Sequence, residues 1–361
     1  MSAYATKLNE AFASSVIRLY YETSVAERIT NQDYEGEVRD RASRLNILTF
    51  GALTLKTYAS AAMTADDVTE SNAQLNTDQQ KAFYFKIRSL DQFKSYIKDA
   101  SSPVIEQCRK LLAETIDSYV LGLWGDTAAG QWYGTSYTAG TVAVAVTTGV
   151  VTGSATTFTS GMVGKPFKAL GHTSWYRISA FSSTTSITIV NDSDDETASY
   201  TGGTIGAGAT YEIQANTAVQ TTKALINADI NRLATFLNEA KVPKGDRWLV
   251  VPAGLSNLIR QAPEYIPAVE TAYNEVVRRG LIGMLAGFEV FENQEIAGDS
   301  TNGWHVLAGH KSAITYAMGM TESGVEDLIG DFGKAYKGLT VYGAKVVDER
   351  RKALAHAFVK L

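Results

Sequence analysis

The chain of 361 residues is poor in cysteine, in histidine and in long apolar runs. Its one cysteine, Cys108, excludes an intramolecular disulfide and a zinc site made of several thiolates. No apolar run approaches the roughly 20 residues that cross a bilayer. The first residues carry Lys7, Glu10 and Arg18 and lack the apolar stretch of a signal peptide. We therefore expect a soluble protein that is made in a reducing cytoplasm.

An excess of charge of one sign is also missing, since 33 basic residues face 38 acidic ones and the net charge is -5. A protein that grips nucleic acid by its phosphates carries a strongly basic face. The balance here argues against sequence-specific DNA binding, whereas a wall that only encloses DNA needs no such face. The length is enough for about two or three domains with cores of their own.

The four histidines show no spacing that is typical of a metal site. We expect His305 and His310 to lie in different strands or turns, and His172 and His356 to be packed or surface side chains like them. The acidic segment Asn191–Glu196 lacks the glycine and the distal glutamate of a calcium loop. It is therefore predicted to be a solvated loop tip.

Three short motifs match catalytic or phosphate-binding signatures only in part. Gly161–Lys165 has the wrong spacing for a phosphate loop and lacks the hydroxyl residue after the lysine. Gly280, Gly283 and Gly287 follow a predicted helix, whereas a dinucleotide fingerprint follows a strand. Ser95–Lys98 lacks the companion motifs of serine–lysine enzymes. We predict no catalytic, cofactor-binding or metal-binding residue in the chain.

The most regular pattern lies in residues 242–290. Arg247–Gly254 is a short apolar run closed by turn residues, which is typical of a buried strand. Leu255–Arg260 is predicted as a short helix and Ala268–Arg279 as a second one, because Pro263 and Pro267 break the chain between them. Glycines then lead into a further strand at residues 288–291.

The first part of the chain combines a charged helical arm, residues 1–45, with two β-prone segments. These segments, Leu53–Tyr58 and Ala82–Ile87, bracket the polar stretch Ala59–Lys81. We predict a long hairpin with a polar middle; a floppy surface loop is the alternative. Because the stretch has few apolar groups, we expect its deletion to leave folding intact.

A long helix is predicted from Ser102 to Trp124, with a serine cap and Pro103 in its first turn. Its apolar face has helical spacing, and Cys108 on it is expected to be a small packed residue. The residues of this face are Val104, Cys108, Leu111, Leu112, Thr115, Ile116, Tyr119, Val120 and Leu123.

Residues 134–217 differ from the rest, with 18 threonines and only eight charged residues. Strand candidates at Thr141–Val146, Trp175–Ser179 and Ser186–Val190, separated by glycine turns, indicate a small sandwich or barrel. Helical spacing resumes at Lys223–Ala240, so this β region is inserted between two helices. We expect it to fold alone around Val142, Val144, Val146, Phe158, Phe167, Trp175, Tyr176, Ile178, Phe181, Ile187, Ile189, Tyr211 and Ile213.

The last part of the chain is predicted to be mainly β. Trp304–Ala308 and Ser312–Ala317 are expected to join the sheet of the strand at 247–254. Leu339–Val347 and His356–Val359 are expected to pair with each other as a terminal hairpin.

The order of elements in residues 242–290 resembles the axial domain of tailed-phage major capsid proteins, the coat proteins with the Hong Kong 97-like fold. Asn76–Phe85, followed by Ser89–Asp91, resembles that family's descending strand and the lead into its spine helix. The resemblance spans nearly the whole chain outside 134–217. It implies an α+β fold with an N-terminal arm, an extended loop, a spine helix, peripheral and axial domains, and an all-β insertion domain.

The domain boundaries that the resemblance implies follow the patterns above. They are 1–50 for the N-terminal arm and start of the peripheral domain, 51–88 for the extended loop, 89–133 for the spine helix and peripheral domain, 134–217 for the inserted β domain, 218–335 for the axial domain and 336–361 for the return to the peripheral domain.

The resemblance implies a major capsid protein and not an enzyme. Its copies would form an icosahedral shell of pentamers and hexamers around the double-stranded DNA of a phage, and hinges at Gly36, Gly51 and Gly125 would absorb the angular differences. It implies a virion location after synthesis in the host cytoplasm, no cofactor and no membrane. Expected partners are further copies, a separate scaffolding protein, a portal and decoration proteins. The alternatives are an encapsulin-like compartment and a surface protein that binds carbohydrate or cells through the β region.

Some members of this family join a lysine of the extended loop to an asparagine of a neighbouring subunit. The candidate donors here are Lys56, Lys81 and Lys86, and none lies at the polar tip of the predicted hairpin. We therefore expect a shell held by noncovalent contacts. We also expect no cleaved pro-segment, because the arm-like sequence starts within the first residues.

Overall fold

A computed structural model describes seven parts of the chain, residues 24–32, 44–50, 70–88, 101–193, 199–262, 281–328 and 332–361. They fall into two compact units, each described by itself. The first unit takes the described residues of 32–112 and 315–345, and the second takes those of 24–31, 113–314 and 346–361. Among the helices in these parts, none is long and apolar enough to cross a membrane.

The first unit contains an antiparallel strand pair. Strand β1, Arg44–Phe50, pairs with β2, Glu70–Asn76, so that Arg44 lies opposite Asn76 and Phe50 opposite Glu70. Ile47 and Leu75 are buried. The predicted sides of the hairpin, Leu53–Tyr58 and Ala82–Ile87, are therefore wrong. Strand β2 lies within Ala59–Lys81, the stretch that was expected to be polar and dispensable. The segment Leu53–Tyr58 lies outside the described residues.

The first unit also contains most of a sheet of three long strands, in the order β19, β20, β3. Their bounds are Gln79–Arg88 for β3, Ile314–Asp327 for β19 and Gly333–Val346 for β20. Strands β20 and β3 are antiparallel, with Gly338 opposite Phe83. The ring of Phe83 lies over Gly338, where a Cβ atom would approach it to 2.4 Å, so a larger residue at this position would have to displace the ring.

Two sequence predictions about these strands are wrong. Residues 314–317 belong to β19 and not to the sheet of Trp304–Ala308. Most of Leu339–Val347 belongs to β20, which pairs with β3 and not with His356–Val359. Both errors concern which strands pair, and pairing depends on contacts that are distant in sequence.

The described residues before the threonine-rich region contain two α-helices. Helix α1 is Ala26–Ile29, and α2, Ser101–Leu121, is the predicted long helix and continues as a 3-10 turn, Gly122–Asp126. Within α2, Ile116 and Val120 are buried as predicted, whereas Leu111 is 55% exposed. Cys108 is half-buried. The apolar face is therefore narrower than the sequence pattern suggests.

The threonine-rich region, residues 134–217 and here called the β module, forms a sheet of eight strands. In sheet order the strands are β11 (Ile205–Ala209), β6 (Thr141–Val144), β7 (Val150–Ser154), β10 (Ser186–Asn191), β9 (Tyr176–Ser183), β8 (Pro166–Ala169), β12 (Tyr211–Thr217) and β5 (Thr135–Tyr137). All neighbouring strands of this sheet are antiparallel. A short 3-10 turn, Ser160–Met162, precedes β8.

The β module has a continuous core of its own. Its buried residues are Val142, Val144, Val151, Phe158, Met162, Phe167, Ala169, Tyr176, Ile178, Ile187, Ile189, Tyr200, Tyr211 and Ile213. Most of the predicted core is confirmed. Three predicted members are wrong, because Val146 is 54% exposed, Phe181 is 36% exposed and Trp175 is half-buried. Val146 and Phe181 lie in or beside hairpin ends, where an alternating pattern continues after the core has ended.

The second unit is completed by a six-stranded mixed sheet with two helices, α3 (Ile226–Glu239) and α4 (Ala253–Gln261). In order its strands are β13 (Val219–Gln220), β21 (Leu354–Lys360), β18 (Gly303–His310), β14 (Arg247–Val251), β16 (Phe288–Glu292) and β15 (Leu281–Leu285). Two short strands join it at the side, β4 (Trp132–Tyr133) on β21 and β17 (Gly298–Asp299) on β18.

The centre of this sheet agrees with the sequence pattern. Strand β14 is buried along its whole length, as its apolar run predicts, and it pairs with β16 in parallel. A parallel pair needs a crossover connection, and α4 lies in that connection. The predicted helix Ala268–Arg279 lies outside the described residues. Strand β21 pairs with β18 instead of forming the predicted terminal hairpin.

Candidate functional site at the root of the β module

The histidines that the sequence analysis singled out do not behave alike. His305 and His310 both lie on β18, so the prediction that they occupy different elements is wrong. His305 Nδ1 lies 2.9 Å from Nε2 of His356 on the neighbouring strand β21. His172 Nε2 lies 2.9 Å from the hydroxyl of Tyr200 inside the β module. The chain therefore brings together two histidines that are 51 residues apart.

The paired histidines are enclosed by aromatic rings. The ring of His305 is stacked between Trp124 and Phe358, with centroid distances of 3.8 Å and 4.4 Å. The ring of His356 meets the edge of Trp132 at 4.6 Å. Burial, with a smaller effect of Lys165, lowers the pKa of His305 to about 4. Burial also lowers the pKa of His356 well below its ordinary value. Both imidazoles are therefore neutral packing groups near pH 7.

The lysine of the rejected phosphate-loop motif is part of the same region. Lys165 Nζ donates a hydrogen bond of 2.8 Å to the backbone carbonyl of Asn216 and lies 5.8 Å from the centroid of the Phe358 ring. Burial lowers its pKa to about 8. The amine thus binds groups of its own chain, and it contributes a cation–π contact with the six-stranded sheet.

Asp192 is the centre of a buried ion network, which corrects the prediction of a solvated loop tip. Its Oδ1 accepts hydrogen bonds from Arg177 Nη2 at 2.9 Å and from Arg351 Nη2 at 2.5 Å. Its Oδ2 accepts a hydrogen bond of 3.2 Å from the backbone N–H of Ala129. Burial by itself would raise the pKa of Asp192, but the guanidinium groups of Arg351 and Arg177 outweigh it and lower that pKa. The remaining acidic residues of the predicted tip, 194–196, lie outside the described residues.

A second buried carboxylate, which sequence reasoning missed, anchors the start of the described chain. Asp117 on α2 accepts hydrogen bonds from Ser24 Oγ at 2.6 Å and from the backbone N–H of Ala26 at 3.0 Å. Its Oδ2 accepts from Asn293 Nδ2 at 2.9 Å. Burial raises the pKa of Asp117, although these hydrogen bonds act in the opposite direction. The partners are up to 176 residues away, so no local signal in the sequence points to this site.

The residues proposed for cross-linking and hinging are only partly described. Lys81 and Lys86 are exposed on β3, whereas Lys56, Gly36 and Gly51 lie outside the described residues. The carbonyl of Gly125 accepts a hydrogen bond from Arg177 Nη1. That bond ties Gly125 to the β module and argues against a hinge there. Within the described part of the chain, no group of three histidine, cysteine or acidic side chains could hold a metal ion.

Residues 182–356 match the family model described as phage capsid protein. The match begins inside the β module and ends in β21, so it covers nearly all of the six-stranded sheet. A comparison with curated proteins finds no match.

Solved phage structures share the fold over most of the chain. A structure from Mycobacterium phage Che8 is 18% identical, with a TM-score of 0.54 and coverage of 93% of this chain and 91% of that one. The asymmetric unit of the bacteriophage PhiM1 mature capsid is 9% identical, with a TM-score of 0.50 and coverage of 91% and 87%. The capsid of Ralstonia phage GP4 is 10% identical, with a TM-score of 0.50 and coverage of 92% and 87%.

At these identities the structural likeness establishes the fold, and the family match extends over residues 182–356. Both agree with the α+β architecture and the family that the sequence predicts. The chain therefore has the Hong Kong 97-like fold of phage capsid structures, and residues 182–356 match the phage capsid protein family.

Proposed function

We propose that copies of this chain assemble into a closed icosahedral shell of pentamers and hexamers that encloses the double-stranded DNA genome of a phage. The family match over residues 182–356 carries this proposal. The protein acts by self-association and is not an enzyme. It is made in the host cytoplasm and ends in the virion.

Exposed apolar side chains supply plausible contact points between copies. Tyr84 on the edge strand β3 is 68% exposed, and Met284 on the edge strand β15 is 80% exposed. Edge strands are where a second chain can add contacts, and apolar groups there increase the area buried on association. A shell repeats each such contact many times, which lets modest interfaces give a stable particle.

The proposal includes partners and a division of the chain. A separate scaffolding protein, a portal and decoration proteins would complete the particle. The net charge of -5 keeps the wall from adhering to DNA phosphates. Residues 134–217 would be an insertion between the spine helix, within 89–133, and the axial domain, 218–335. The arm and peripheral start (1–50), the extended loop (51–88) and the peripheral return (336–361) complete the division.

Electron microscopy tests the assembly. The purified protein, expressed alone and together with the scaffolding protein of its phage, is expected to give shells or capsomers in negative stain. Monodisperse monomers in both preparations would contradict the proposal. Particles from infected cells should protect double-stranded DNA from added nuclease. A co-purified cargo protein in DNA-free particles would favour the encapsulin-like compartment instead.

A further inference from the structure

We propose that Asp192 is a positioning residue that fixes the orientation of the β module on the six-stranded sheet. The inference does not depend on shell assembly, because each of its contacts lies within one unit of one chain. It assigns to Asp192 a role that is separate from the folding of the module itself.

The contacts of Asp192 join three parts of the chain. Arg177, on β9, comes from the module, as does Asp192 itself, which follows β10 directly. Ala129 belongs to the connection between the 3-10 turn after α2 and the module. Arg351 comes from the C-terminal 3-10 turn, Asp348–Ala353, which is 159 residues away and leads into β21. One carboxylate therefore ties the module to both chain segments beside it.

The two arginines extend the network beyond the carboxylate. Arg177 also donates to the carbonyl of Gly125, and Arg351 Nε donates a hydrogen bond of 2.8 Å to the carbonyl of Asp126. Both carbonyls belong to the 3-10 turn after α2. The arginines thus hold the same turn from two sides, one from the module and one from the C-terminal segment. A planar guanidinium with several directed donors restricts rotation in a way that a single point charge does not.

Burial makes the network selective for one arrangement. The side chains of Asp192 and Arg351 are 12% and 5% exposed, so little water reaches the pair in the observed arrangement. A buried charge without its partner is costly, and each misoriented state of the module would leave such a charge. The module core, by contrast, is made of apolar side chains and does not include Asp192. Loss of the carboxylate should therefore free the module's orientation and leave its core intact.

The other contacts near the two ends of the module, at residues 134 and 217, are compatible with this role. Lys165 lies 5.8 Å from the ring of Phe358, a contact that tolerates small shifts. Tyr133, just before the module, donates a hydrogen bond of 2.6 Å to Asp229 on α3. The chain enters and leaves the module at residues 134 and 217, and two such connections permit a swing about the line that joins them. The Asp192 network adds bonds from the module to Ala129 and Arg351, and these further attachments oppose such a swing.

Distance measurements between two spin labels in the full chain test the proposal. The labels are attached through Ser182→Cys, on an exposed part of β9, and Lys244→Cys, in the exposed loop before β14, in a Cys108→Ser background. We expect one narrow distance distribution for the otherwise unchanged chain. Asp192→Asn should lose that single narrow peak. Asp246→Asn is the matched control, because it removes the same charge from an exposed residue, and it should keep the peak.

A second variant separates positioning from folding. Arg351→Met leaves the Arg177–Asp192 pair inside the module and removes the hydrogen bond that the C-terminal segment donates to Asp192. This variant should therefore also lose the narrow peak. Amide hydrogen exchange of β8 and β10 should remain as slow as in the parent chain for both variants. An unchanged distance distribution in Asp192→Asn and Arg351→Met would overturn the proposal. Fast exchange in the module core of either variant would overturn it too, since Asp192 would then serve folding.

Discussion

The histidine pair shows how burial decides what a titratable residue does. His305 and His356 share one hydrogen bond inside a group of aromatic rings, and Lys165 is the charged group that acts on both. Adding a proton to the pair would place a second cation beside Lys165 in a poorly hydrated region. The folded chain therefore favours the neutral imidazoles.

This preference predicts that acid destabilises the second unit. The pKa of His305 falls from 6.5 to about 4 on folding, so the stabilisation is complete above pH 6.5 and is lost as the pH falls toward 4. Between about pH 7.5 and about pH 5, His305 alone should lower the free energy of unfolding by about 2 kcal/mol. Urea unfolding followed by tryptophan fluorescence at both pH values measures the change.

The double variant His305→Phe/His356→Leu isolates the contribution of the pair from that of all other groups. It keeps apolar volume in the ring cluster and removes both titrating sites. Its free energy of unfolding should depend less on pH than that of the parent chain over the same interval. Equal pH dependence in the two proteins would show that the pair does not titrate as its burial requires.

At the scale of elements, the β1–β2 pair contains buried residues that the polar sequence pattern does not predict. Leu75 is fully buried, and its neighbour Gln74 on the same strand is exposed. Leu75→Ala should lower the stability of the first unit by about 2–5 kcal/mol, because it leaves a cavity in a packed site. Gln74→Ala should change it by less than about 0.5 kcal/mol.

Amide hydrogen exchange of peptides from β1 and β2 measures this effect. The tryptophans cannot report it, since all five, at 124, 132, 175, 248 and 304, lie in the second unit. Faster exchange in Leu75→Ala than in Gln74→Ala is expected. The same exchange rates in both would mean that this strand pair does not depend on the burial of Leu75, and that the stretch Ala59–Lys81 is as dispensable as its composition suggests.

The β module should fold when it is separated from the rest of the chain. Its apolar core is complete within residues 134–217. The fragment should give a β-sheet circular dichroism spectrum and a cooperative thermal transition. Its melting temperature should lie below that of the module in the full chain, since Asp192 loses Arg351. A random-coil spectrum would contradict this expectation.

Local patterns in the sequence predict elements better than they predict pairing. The long helix predicted from Ser102 to Trp124 is observed at Ser101–Leu121, and the buried strand at Arg247–Val251 follows its apolar run. The predicted partners of β20 and β21 are wrong. Alternating apolar and polar residues show that a strand has two different faces, but they do not show which strand it pairs with. Asp192 was missed for the same reason, since its partner Arg351 lies 159 residues away and the acidic run around it is typical of a surface loop.

At the scale of the whole molecule, the cohesion of the particle should be noncovalent. Cys108 is half-buried on α2, and burial raises its pKa, so the reactive thiolate is scarce at neutral pH. A disulfide would also need two such residues from different copies within about 7 Å. Lys81 and Lys86 lie on β3, which pairs with β20 along its length. Neither lies at the tip of a loop, where a donor would most easily reach a neighbouring subunit.

Denaturing electrophoresis of purified particles tests this expectation. After boiling in detergent under reducing conditions, the capsid protein should run as a single band near 39.0 kDa. The same sample without reductant controls for disulfides and should give the same band. A ladder of covalent oligomers under reducing conditions would show that the subunits are cross-linked. Its disappearance in Lys81→Arg or Lys86→Arg, which keep the positive charge and remove the primary amine, would then identify the donor and place the bond at β3.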